Sequence, residues 1–138
     1  MNISSFCFVI AALSALCGMT LGTVMGLSHD FTLLPVHAHL NLLGWVSMML
    51  FGLFHRGVGA SHRRLAWVQV SISAAGALGL PGGLALMLQS GDESFMPVVI
   101  FGTFATLAGM ALFLLLVVLD ARAMRRWNAA MIVHPNSG

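Results

Sequence analysis

Six histidines are many for a chain this apolar, and two of them are placed where they could do chemistry. His37 and His39 open a long apolar run in the string Leu34-Pro35-Val36-His37-Ala38-His39-Leu40-Asn41-Leu42-Leu43-Gly44-Trp45. Ionisable side chains at membrane depth are costly and are functional suspects by default. On a helix, two residues correspond to about 200° of rotation, so the two imidazoles point to nearly opposite faces. They are poorly placed to chelate one small ion together. Each could instead serve a different flat cofactor, or one a cofactor and the other a neighbouring helix. Asn41 follows His37 by one helical turn on the same face, with Trp45 and Met48 after it, and Gly44 leaves room for a bulky ring system. The competing reading is a pair of interfacial histidines bonded to loop carbonyls, and the residues alone leave both open. Of the other histidines, His134 in the tail and His55 and His62 in a basic segment read as solvated loop residues. His29, beside Asp30, reads as a capping or loop residue.

The elements that must position these side chains are four apolar runs, at about 6–27, 36–54, 65–88 and 96–119, and none contains Asp, Glu, Lys or Arg. A helix needs about 20 apolar residues to cross the hydrocarbon. Backbone groups in lipid must bond internally, and barrel strands would alternate over about 10 residues, which these runs do not. The expected fold is therefore all-α: a single integral membrane four-helix bundle over residues 1–138, with a tail at 122–138. Hydrophobic residues make up 59% of the chain and charged residues 7%, against roughly 25% charged in a soluble domain. The stretch before the first run has no positive charge, and that run is longer than the apolar core of a signal peptide. Leu16 before Cys17 is also a poor fit to a lipoprotein cleavage site, so the first run is expected to remain as a helix.

Arg56, Arg63 and Arg64 lie between the second and third runs, and Arg122, Arg125 and Arg126 follow the fourth. In a four-helix protein both segments fall on one side, which the positive-inside rule makes cytoplasmic, together with both termini. Trp67 and Trp127 then sit at that interface, and Asp30, Asp92 and Glu93 face outward. Topology accounts for the arginines, and a net charge of +2 without basic runs gives no reason to expect nucleic acid. Cys7 and Cys17 lie on one helix, too far apart to pair within the roughly 7 Å disulfide limit. Gly18, Gly22 and Gly26 form a small-xxx-small face that lets helix backbones approach closely. That face serves either a homo-oligomer, expected because four short helices bury little against each other, or packing within one chain. Pro35 suits the first turn of a helix, and a kink is expected near Pro81.

The His37-Ala38-His39 start of an even-numbered helix, entered from the outer side, resembles subunit I of the haem-copper oxidases, a family that includes the nitric oxide reductases. Its large subunit is built from pseudo-repeats of four helices, and one helix carries a His-x-His near the outer surface. One of those histidines binds the low-spin haem and the other the neighbouring high-spin haem. The string His37 to Trp45 also looks like short bacterial membrane proteins labelled oxidase-subunit-like. Beyond this helix the resemblance rests on helix count and direction. It implies a single four-helix repeat in a bacterial inner membrane, assembled as a homotrimer or dimer. It implies haem b ligated by His37 or His39, with Asn41 and Trp45 beside it, and a role in electron transfer with a quinol or cytochrome as redox partner.

The departures from the family are specific. No helix interior supplies the further histidines of the active-site copper, and the chain has no tyrosine. No carboxylate lies in a run to carry protons, and no arginine lies on the outer side to grip haem propionates, which leaves His29, backbone amides and water. Reduction of oxygen or nitric oxide by this chain alone is therefore not expected; any enzymatic role would be that of an oxidoreductase. Two other readings stand beside haem. One is a membrane protein that binds or senses copper or zinc through His37, His39 and His29 with Asp30, since imidazole suits both metals. The other is an accessory structural subunit of a respiratory complex.

Overall fold

The computed structural model describes residues 1–57 and 62–133, with side chains to residue 128. Four helices in it are long and apolar enough to cross a membrane, so the chain is a multi-pass membrane protein, with lipid as the solvent of its outer surface. We label them α1 (Ile3–Ser28), α2 (Leu34–Gly57), α3 (Arg63–Ser90) and α4 (Met96–Val133). Each extends past the apolar run that forecast it, because a helix continues into the interface where polar residues can still bond along its axis. The extension is longest in α4, which continues through Arg122, Arg125 and Arg126 to Val133, where the apolar pattern had suggested a tail.

The ends are closed by local chemistry. The Asn2 carboxamide accepts from the Ser5 N–H at 2.7 Å and caps α1. His29 ends α1 in the left-handed region at φ 56°, a conformation uncommon outside glycine in which histidine is nonetheless enriched. This fulfils the capping role expected of it. Gly91 ends α3 at φ 68°, where a side chain would be strained. Asp92 then caps the short turn Glu93–Phe95 that leads into α4. Its carboxyl is held below the ordinary range by the Ser94 N–H and hydroxyl.

α2 is irregular directly after its two histidines. Pro35 stands in its first turn, where the missing N–H costs nothing. From Leu40 to Ser47 the helix widens into π turns before returning to α geometry at Met48. Such insertions are rare and gather at functional sites. The Ser47 hydroxyl follows the wider register, donating to the Leu42 carbonyl five residues back at 2.9 Å.

The apolar core lies toward the arginine-bearing end, where Cys7 and Ala11 of α1, Met48 and Phe51 of α2, and Val70 and Ala74 of α3 are all buried. Phe113 of α4 joins it by packing tilted against Phe51 and edge-on against Phe54, with centroids 4.6 and 5.0 Å away. α3 and α4 make the most extensive contact in the bundle. They approach so closely that a Cβ on Gly102 would strike the Leu80 backbone, and one on Gly76 would come within 2.6 Å of the Thr106 nitrogen. α3 runs through Pro81 without a break, and the proline is fully buried.

Candidate functional site

His37 is placed by both helices it touches. Its N–H donates to the Leu33 carbonyl at 3.0 Å, which seats it in the first turns of α2. Its ring lies against the glycine face of α1, where a Cβ on Gly22 would come within 2.7 Å of Cε1. Nδ1 stands 2.8 Å from the Gly18 carbonyl oxygen. A carbonyl only accepts, so Nδ1 must carry the proton, and in the neutral ring Nε2 keeps its lone pair.

Asn41 completes this corner. Its amide nitrogen donates to the His37 carbonyl at 2.8 Å. The same nitrogen is 3.5 Å from both ring nitrogens of His37. With Nδ1 donating to Gly18, only Nε2 can accept, so the second amide proton of Asn41 meets it in at most a long, weak hydrogen bond. Gly18 also makes room for Asn41, whose amide would be 2.6 Å from a Cβ there. The glycine stripe of α1 thus packs within the chain at Gly18 and Gly22, while Gly26 meets nothing within 4 Å.

His39 points away from this face, as its spacing requires. Its Nδ1 is 2.6 Å from the Pro35 carbonyl oxygen, and the same argument leaves Nε2 with a free lone pair. Both histidines are therefore bonded to carbonyls, but to helix carbonyls rather than loop ones, and in each oriented ring the Nε2 lone pair is not used by the backbone. A backbone carbonyl on one ring nitrogen is the usual arrangement behind a metal-ligating histidine.

The other expected members of the site are dispersed. Trp45 is 42% exposed, while its neighbours Gly44 and Met48 turn inward. The space at Gly44 is filled within the chain, where the Ser14 side chain abuts it. The Ser14 hydroxyl there is buried without a hydrogen-bond partner. Asp30 is occupied locally: Oδ1 accepts from the Thr32 hydroxyl at 2.6 Å and the Thr32 N–H at 3.0 Å, and the hydroxyl first, then the N–H, hold the carboxyl below its ordinary pKa. Among the described residues no three His, Cys, Asp or Glu side chains gather as a metal site. His29 and Asp30 therefore do not join the α2 pair within one chain. The arginines at Arg56, Arg63, Arg64, Arg122, Arg125 and Arg126 all lie at the end of the bundle opposite His37.

His55 corrects the sequence expectation. It is not a loop residue but lies within α2, half-buried, with Nε2 2.9 Å from the Gln69 side-chain oxygen. Gln69 is fully buried in α3, and its amide donates to the Ser73 hydroxyl at 3.1 Å. A scan for charged residues passes over this network. The available signal was a polar pair one turn apart, Gln69 and Ser73, inside an apolar run. His62 is exposed at the start of α3, as expected, and His134 lies outside the described residues.

Compared with known protein families, curated proteins and solved structures, the chain has no match in any of the three.

Proposed function

We propose that this chain is a haem b-binding protein that moves electrons within the membrane, ligating iron through Nε2 of His37, His39 or both. One observation carries the reading: each ring is oriented by a carbonyl on Nδ1, Gly18 for His37 and Pro35 for His39, and neither Nε2 has a closer polar partner among the described residues than the Asn41 amide, 3.5 Å from that of His37. Neutral imidazole with that tautomer is an axial ligand ready to bind. Haem bound there would supply a one-electron iron couple, with a potential set by its axial ligands, its burial and the hydrogen bonds behind them. The chain's own part is to hold the rings. The backbones of α1 and α2 prevent them from rotating, and Asn41 packs the His37 ring in place.

The two Nε2 atoms diverge, so one chain cannot clamp a single iron from both sides with this pair. A second copy would supply the opposing histidine, which makes a homotrimer or dimer the working assembly and fits a single repeat of the haem-copper oxidase plan. In this reading the arginine end is cytoplasmic in a bacterial inner membrane. His37 and His39 then lie near the outer surface, within reach of a quinol or cytochrome. Propionates would rest on His29, backbone amides and water, because no arginine lies at that end. The divergent rings also favour haem over a copper or zinc site in one chain. A metal bridging several copies remains the alternative that the experiment separates.

That experiment is an absorption spectrum of the protein purified in mild detergent, as isolated and after dithionite. A Soret band that sharpens on reduction, with split visible bands, is the expected result. A featureless spectrum after haem has been supplied during expression would overturn the haem reading. Elemental analysis for copper and zinc would then separate a metal site from an accessory subunit.

A further inference from the structure

The buried polar network of α2 and α3 does not end at Ser73. Beside it lies a cavity of about 20 Å³ between α2, α3 and α4, lined by the polar side chains Ser47, Ser73 and Thr106 and by Ala77, with Leu43, Phe51 and Met110 completing the wall. Roughly 10–15 Å³ of such space suffices for one water molecule, so this cavity, open on one side past the exposed Met110, has room for one.

The donors and acceptors around it are unbalanced. Ser73 accepts from the Gln69 amide, and its own hydroxyl proton has no protein acceptor among the described residues. The Ser47 and Thr106 hydroxyl protons are already committed to the Leu42 and Gly102 carbonyls, each at 2.9 Å. Both oxygens therefore offer only lone pairs toward the cavity. Ala77, which also lines the cavity, has a carbonyl without its usual helical partner, because Pro81 lacks the N–H that would bond it. The wall thus holds one unplaced donor, Ser73, and two hydroxyl oxygens with lone pairs to spare, Ser47 and Thr106. A water molecule accepts one hydrogen bond from Ser73 and donates its two protons to those two acceptors.

We propose that this cavity is a water-binding site that terminates a hydrogen-bond chain entering from His55. The chain has a single direction. The His55 N–H donates to the Gln69 oxygen, the Gln69 amide donates to Ser73, Ser73 donates to the water, and the water donates to the wall. Bonds aligned in this way polarise and reinforce one another. The water also sets the orientation of the chain. With an acceptor beyond it, Ser73 receives the Gln69 amide, so the Gln69 oxygen faces His55 and selects the Nε2–H form of that ring. Without the water, Ser73 would turn its proton back on Gln69, and the amide would flip to donate to His55. The site is independent of the haem reading and makes no use of His37 or His39.

The test is solid-state NMR on the full-length chain in lipid bilayers, with nitrogen-labelled histidine. Polarisation transferred from water protons is expected to reach Ser73 and Thr106, deep in the span, and His55 is expected as the Nε2–H tautomer. In the double variant Ser47→Ala, Thr106→Val the water transfer to Ser73 is expected to fall to background, with helicity and detergent elution checked alongside. Three results would overturn the proposal. The first is no water transfer to Ser73 in the unaltered chain, which needs no variant to fold. The second is transfer from lipid acyl protons in its place, and the third is unchanged transfer in a folded double variant.

Discussion

The two ends of the bundle each hold a half-buried histidine, and they treat it in opposite ways. At the His37 end the ring is bonded through Nδ1 to the backbone of α1, and the Asn41 amide comes no closer to Nε2 than 3.5 Å. At the arginine end the ring of His55 is bonded through Nε2 to Gln69, whose other arm goes to Ser73. The first histidine is oriented and left open; the second is absorbed into an internal network. Carbonyl bonding on Nδ1 prepares a ligand, whereas bonding on Nε2 uses up the nitrogen most often given to a metal. Exposure does not separate the two, since both rings are half-buried. The difference lies in which nitrogen faces which partner.

The largest expected effect breaks the open end. His37→Ala and His39→Ala should each remove or shift the haem absorbance while the chain still inserts, as read from spectra of membrane-extracted protein. Unchanged spectra in both single variants and the double would sink the site assignment. His55→Ala is the internal control and should leave the band in place.

The closed end should show its effect in stability instead. Gln69→Leu strands the His55 N–H and leaves Ser73 without its donor, so it should destabilise the fold by about 1–3 kcal/mol. Thermal unfolding in detergent reads this, and the absorbance should not move. Gly22→Leu tests whether the open end depends on α1. The side chain would collide with the His37 ring, at a typical overpacking cost of about 1–3 kcal/mol. Unlike Gln69→Leu it should also shift the band, because the ring must move. If the spectrum of Gly22→Leu matches the parent, α1 does not orient the ligand.

The smallest effect lies in the loop that feeds α2. The carboxyl of Asp30 is held below its ordinary pKa by the Thr32 hydroxyl and N–H. Its contribution to loop order is therefore complete above the ordinary carboxylate pKa and is lost as pH falls through the depressed value. Amide exchange at Thr32, corrected for the intrinsic pH dependence, should lose protection over that acidic window. In Asp30→Asn that pH dependence should vanish.

Much of the architecture was legible in the chain before any contact was known. The four spans follow from run length against bilayer thickness, which is a local property of each segment. Pro35 marked the start of α2, and the spacing of His37, His39 and Asn41 already placed one histidine with the asparagine and the other apart. These are statements about a single helix, and helical periodicity is enough to make them.

Tertiary structure decided what each histidine is bonded to. That Gly18 and Gly22 receive His37 and Asn41, rather than a second copy, depends on which face of α1 meets α2. That Gly44 is filled by Ser14 depends on the same crossing. The π turns over Leu40–Ser47 carry no mark in composition, yet they sit where Trp45 faces outward while Gly44 and Met48 face in. The His55–Gln69–Ser73 network joins two helices, so no window on one helix contains it. A sequence states the polarity of a side chain and its place along one axis. Whether that polarity is left open or satisfied depends on atoms from another helix, and so on how the helices pack.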